Sequence, residues 1–164
     1  MYYQQQRTLV GIMGGLAVLV AYCIYVLGKV NAGVAGLDDL KFFAVTMLTF
    51  IGIGVVLAIV IQIVFHILFS VGVAVRERDK DDKQVESAIN AAMVEDERDK
   101  IIDLKATRIT FLISMIGFVA GLILLAMDYQ PAVMLNLLFI AINLGSVAEG
   151  VAKLIYYKVG VRHG

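Results

Sequence analysis

The sequence predicts an all-α integral membrane protein, a four-helix bundle with a helical cytoplasmic insertion between its second and third spans. Three observations carry that prediction. Of 164 residues, 60% are apolar, against about 45–50% in an ordinary soluble domain. Four apolar runs are each long enough to cross a ~30 Å hydrocarbon core as a helix. Charge is segregated, with eighteen of the twenty-eight Asp, Glu, Lys and Arg residues falling in 76–108. Only helices and closed barrels satisfy their own backbones in lipid, and these runs are too long and uniform for barrel strands.

The first run, 8–27, carries no charge. No convincing small-residue cleavage site follows it, so it reads as a retained span rather than a signal peptide. A glycine-rich connection at 31–36 leads to Asp38 and Asp39, which are placed to cap the second helix. The second run, 42–75, is longer than a bilayer needs and must tilt or project beyond it. After it, Val85, Ala88, Ile89, Ala92 and Met93 recur at helical spacing, which predicts an amphipathic helix over about 81–94. A second helix start is expected near Asp96, continuing through Arg108 into the third run, 109–127. Lys100 follows Asp96 by one turn, a pair worth ~0.2–0.5 kcal/mol on an exposed face. Asp128-Tyr-Gln-Pro131 is a tight turn, with the only proline opening the fourth run, 132–157, at a tolerated position. Spans three and four therefore form an antiparallel hairpin.

Basic residues orient the chain. Arg7, the eight Lys and Arg of 76–108, Lys153, Lys158 and Arg162 fall on one side; Lys29 and Lys41 fall on the other. The positive side stays inside, which predicts cytoplasmic termini in a multi-pass protein of a cytoplasmic membrane. The partners this implies are first the lipid bilayer itself. The formal net charge is zero, so no basic field points to nucleic acid.

Two kinds of residue stand out within the spans. Gly11 and Gly15 on the first helix, and Ser114, Gly117 and Gly121 on the third, form rows of small residues that allow close helix approach. They read as packing within the bundle, or as the face of a homodimer. Gln62 and His66 share one face of the second helix, and Asn136 and Asn143 one face of the fourth, near Glu149. Counted from Val75 and from Tyr157, His66 and Glu149 lie at similar depth, roughly 12–14 Å, which predicts facing polar stripes. A carboxylate in lipid must face protein or water. The stripe reads as interhelical glue, as a proton or ion site, or as a ligand or headgroup pocket.

Other chemistry is thin. One cysteine, Cys23, sits in an apolar run, and His66 and His163 are far apart, so no metal centre or cofactor is expected. No nucleophile joins a base, so no catalytic residues are assigned. The stretch 94–111, VEDERDKIIDLKATRITF, holds nine charged residues in its first fifteen positions. Asp96, Glu97, Arg98 and Asp99 form an acidic helix start, and Lys105 and Arg108 a basic collar.

Those residues resemble small prokaryotic four-span membrane proteins of unknown function, whose pattern is Asp-Glu-Arg, an aliphatic residue, then Lys-Ala-x-Arg-x-Thr before the third span. The ending Lys153-Leu-Ile-Tyr-Tyr-Lys158 is similar to theirs. The resemblance covers about the last 75 residues. Members resemble proteins encoded beside small helix-turn-helix regulators, which implies a sensor or anti-regulator role. The expected function is thus a non-enzymatic sensor or interaction scaffold that meets a cytoplasmic protein partner through its charged segment. The alternative is a small channel or proton-coupled transporter built on the polar stripe.

Overall fold

The computed structural model describes residues 2–76 and 96–160. Four helices make up its regular structure: α1 (Tyr2–Asn31), α2 (Leu40–Arg76), α3 (Glu97–Ala126) and α4 (Pro131–Val159). All four are long and apolar enough to cross a membrane. The amphipathic helix expected at 81–94 lies outside the described residues. At 1.5 Å per residue the 37 residues of α2 rise about 55 Å, and the other helices about 45 Å. Each therefore exceeds a ~30 Å hydrocarbon core.

Local chemistry fixes the ends. The Phe42 amide donates to Asp39 Oδ1 at 3.0 Å, so the second of the two candidate aspartates caps α2. Gly33, at φ +68°, lets the chain leave α1 through a left-handed residue. At the other turn Asp128 takes φ +64°, Tyr129 N–H closes back onto Leu124 O, and Pro131 opens α4 without forfeiting a helical hydrogen bond.

The helices do not pack around one shared axis. Among the described helices α4 touches all three others, whereas α3 touches α4 alone. The reason lies in the distribution of small residues. Gly117 abuts Ala141, Gly121 abuts Met134, and Gly145 sits on the backbone of Thr110. This seam lets α3 and α4 close along their length, with van der Waals contact holding them where lipid offers no hydrophobic drive. On another face of α4, Gly150 receives Ile12 of α1. α2 lies outermost against α1, and none of its most apolar window is buried, as a lipid-facing helix requires.

Where the two short connections lie, hereafter the loop end, the core is Tyr22, Val26, Phe43, Met47, Ala132 and Phe139. The Tyr22 ring meets Phe139 at 4.3 Å and Phe50 edge-on at 5.4 Å. Toward the opposite, terminal end, α2 and α4 part, leaving a cleft of about 730 Å³ floored by α1.

Candidate functional site

At the terminal end the charged start of α3 runs beside α4. Asp96 is the N-cap: its Oδ1 accepts from the Asp99 amide at 2.7 Å, and Asp99 Oδ2 accepts from the Asp96 amide at 3.2 Å. This reciprocal box satisfies two otherwise orphaned donors at the acidic helix start. With Asp96 so engaged, Lys100 pairs with Glu97 instead, at 3.0 Å, correcting the Asp96 partner expected from spacing. Both side chains are exposed, so the pair contributes little. Arg98 donates to Tyr157 O at 3.4 Å, tying α3 to the last turns of α4. Lys105 is half-buried and Arg108 exposed.

Glu149 is the centre of the α3–α4 seam. Its Oε2 accepts from Thr110 Oγ1 at 2.6 Å, and its Oε1 accepts from Thr107 Oγ1 at 3.3 Å and from Lys153 Nζ at 2.9 Å. Lys153 Nζ also reaches Asp103 Oδ1 at 2.7 Å. Thr110 has one proton and two acceptors in range, the second being Gly145 O at 3.0 Å; the shorter, charge-assisted bond to the carboxylate is the stronger. The side chains of Glu149 and Lys153 are only 19% and 20% exposed, whereas Asp103 is 65% exposed. Both oxygens of Glu149 have donors, so the charge tolerates its position.

His66 is not among those donors. It is exposed on α2 and outside the lining of the cleft, so the expected His66–Glu149 pairing is not formed. The depth argument failed because it measured each residue from its own helix end. α4 continues past the level where α3 turns from charged to apolar, and Glu149 stands beside Thr107 and Thr110 at that boundary rather than deep within the apolar layer. Counting from the turn at 127–130 would have placed Glu149 opposite Thr110, a signal present in the sequence and unused.

The remaining polar residues separate into two places. Gln62, Asn143 and Glu149 line the cleft together with Asp99, Asp103, Arg7 and Lys153. Asn136 belongs to the loop-end core, where it accepts from Tyr22 Oη at 2.7 Å and donates to Ala132 O at 2.8 Å. Asn143 donates to Phe139 O at 2.8 Å in the same back-bonded manner. Tyr22 was missed as a polar partner because it reads in sequence as one more aromatic of an apolar run.

The small-residue rows also divide. Gly117 and Gly121 are buried in the α3–α4 seam and Ser114 is half-buried. Gly11 and Gly15 have no heavy atom within 4 Å of an added Cβ, so they face the cleft rather than another helix. Packing within the bundle, one of the two readings of this row, is therefore not made by these two glycines among the described residues. Among the described residues no three His, Cys, Asp or Glu side chains could hold a metal ion.

The chain matches no protein-family model, no curated protein and no solved structure. What the site can do is therefore read from its own chemistry. It holds charges of both signs at fixed positions, beside a cleft that narrows into apolar walls.

Proposed function

We propose that the chain is a non-enzymatic multi-pass protein of a prokaryotic cytoplasmic membrane, with both termini inside, acting as a sensor or interaction scaffold. The observation that carries the reading is the α3–α4 seam. The charged motif 96–108 is not a loose loop but the first three turns of a helix held to α4 by Arg98, Asp103 and Glu149 contacts. A rigid helix presents a partner with a preformed surface and spares the cost of ordering it. Its outward row is Lys100, Leu104, Arg108 and Phe111, with Leu104 69% and Phe111 64% exposed. An apolar side chain flanked by cations favours an acidic, amphipathic protein segment.

A photo-crosslinking amino acid at Leu104 is expected to give a discrete protein adduct in cells, and the same group at Phe118, in the apolar part of α3, to give none. Absence of adducts from positions 100, 104 and 108 alike would remove the scaffold reading. Orientation rests on the excess of Lys and Arg at the terminal end. In a Cys23→Ser background, Val34→Cys is expected to react with an impermeant maleimide on intact cells, and Lys100→Cys only after permeabilisation. The reverse pattern would invert the topology.

The second reading, a small channel or proton-coupled transporter, is favoured by one observation, the reach of the cleft to Glu149. Against it, the cleft reaches Phe139, which is packed into the buried apolar loop-end core with Tyr22 and Phe43. Reconstituted protein is expected to pass no protons or monovalent cations above empty vesicles. A flux abolished by Glu149→Gln would reinstate the transport reading.

A further inference from the structure

We propose that the cleft between α1, α2 and α4 binds one zwitterionic aminophospholipid, with an acyl chain along the cleft and the headgroup at its mouth. This goes beyond the scaffold reading and does not depend on it. The cleft's volume, about 730 Å³, lies within the ~300–1,000 Å³ of small-molecule sites. Its polarity is graded along its length. Val18, Phe50, Gly54 and Phe139 line the deep end; Gln62, Asn143 and Ser146 follow; Arg7, Asp99, Asp103 and Lys153 stand at the terminal end. That order is the order of an amphiphile, apolar tail to hydrogen-bonding ester to charged head.

The floor points the same way. Gly11 and Gly15 are one turn apart on α1, and an added Cβ at either meets nothing within 4 Å. Glycine is a poorer helix former than alanine, and among the described residues no neighbouring helix uses the space. Phe139 belongs both to the deep lining and to the buried loop-end core, while Arg7, Asp99, Asp103 and Lys153 lie toward the terminal end, where a bilayer lipid places its headgroup.

Charge selects the headgroup. Among the described residues the lining includes the acids Asp99, Asp103 and Glu149 and the bases Arg7 and Lys153. Lys153 is held between Asp103 and Glu149, and both oxygens of Glu149 have donors. Asp103 accepts from Lys153 through Oδ1 and is 65% exposed, which leaves Oδ2 for a primary ammonium. Arg7 already has an interaction of its own and adds only its positive charge to the lining. A purely anionic head brings no cation to the Asp103 carboxylate, and a quaternary choline has no proton to donate to it.

The test uses full-length protein in phosphatidylcholine nanodiscs doped with phosphatidylethanolamine carrying a diazirine in its tail. Adducts are expected on peptides spanning 11–18 and 139–143. Unlabelled phosphatidylethanolamine should compete at least fivefold better than phosphatidylglycerol. Gly11→Leu/Gly15→Leu, which fills the floor without touching a helix contact, should lower the adduct at least fivefold. Asp103→Asn should keep the adduct but reduce the preference over phosphatidylglycerol at least threefold. Helical content by circular dichroism checks that each variant is folded. Equal labelling in wild type and the glycine double variant, or equal competition by both headgroups, would overturn the proposal. So would chain-to-chain adducts at the cleft in place of lipid ones, which would assign it to a second copy.

Discussion

Replacing Lys153 by Met is expected to destabilise the α3–α4 seam by about 2–4 kcal/mol, the cost of stranding a largely enclosed carboxylate beside an apolar layer. Glu149 would keep Thr107 and Thr110 as donors but lose its only counter-charge among the described contacts. Met keeps an unbranched apolar stem nearly as long as that of lysine, so lost packing contributes little. Glu149→Gln alone should cost less, because Lys153 retains Asp103 at 2.7 Å and Thr110, the closer hydroxyl, can still donate to the single amide oxygen. Combining Lys153→Met with Glu149→Gln should recover at least half of the single-variant loss, since a pair removed together leaves no orphaned charge. Asp103→Asn should cost under about 1 kcal/mol, because its side chain is 65% exposed. Reversible unfolding in mixed micelles, read by circular dichroism, measures all four. A double variant no better than Lys153→Met would mean that the lysine acts through packing rather than charge.

Gly145→Leu is expected to cost about 3 kcal/mol, the upper range for overpacking. A Cβ there would lie 3.1 Å from Thr110 O and 3.2 Å from Thr110 Cα, backbone atoms that cannot turn aside. The helices would have to separate where Thr110 also reaches Glu149, so the carboxylate would lose its shortest hydrogen bond as well. Gly121→Ala brings a Cβ to 2.9 Å from Met134 Cγ, near the root of that side chain, and should cost about 1–2 kcal/mol, less than Gly145→Leu. Gly15→Leu meets nothing and should be near neutral in unfolding. If Gly15→Leu proved as damaging as Gly145→Leu, the open floor of the cleft would be refuted along with the division of the glycines into two roles.

That division shows what could and could not be read from the chain. The four apolar helices were legible because span length and hydropathy are local properties, each decided within about 20 residues. So were the Asp96 cap, from two aspartates three apart, and the Pro131 start, from a residue that has few other places in a helix. Which helix faces which was not legible. A glycine one turn from another looks the same whether a neighbouring helix fills the space, as at Gly117, or nothing does, as at Gly11. The candidate site suffered for the same reason. Gln62, Asn143 and Glu149 were named and do line one cleft, yet the donors that hold Glu149 were Thr107 and Thr110, residues unremarkable in composition. Register across the α3–α4 turn identifies them; composition and depth on separate helices do not.

The dependence of every other helix on α4 has a consequence for biogenesis. Synthesis delivers α1, α2 and α3 before α4, and among the described residues the one contact these three helices make with one another is that of α1 with α2. α3 must therefore wait in the bilayer alone, its seam of Thr110, Gly117 and Gly121 facing lipid or an insertion factor. The final helix then closes both interfaces within one event. Ribosome-stalled chains ending before Pro131 are expected to stay sensitive to protease and to crosslink to the insertion machinery through α3, and release of α4 should end both together.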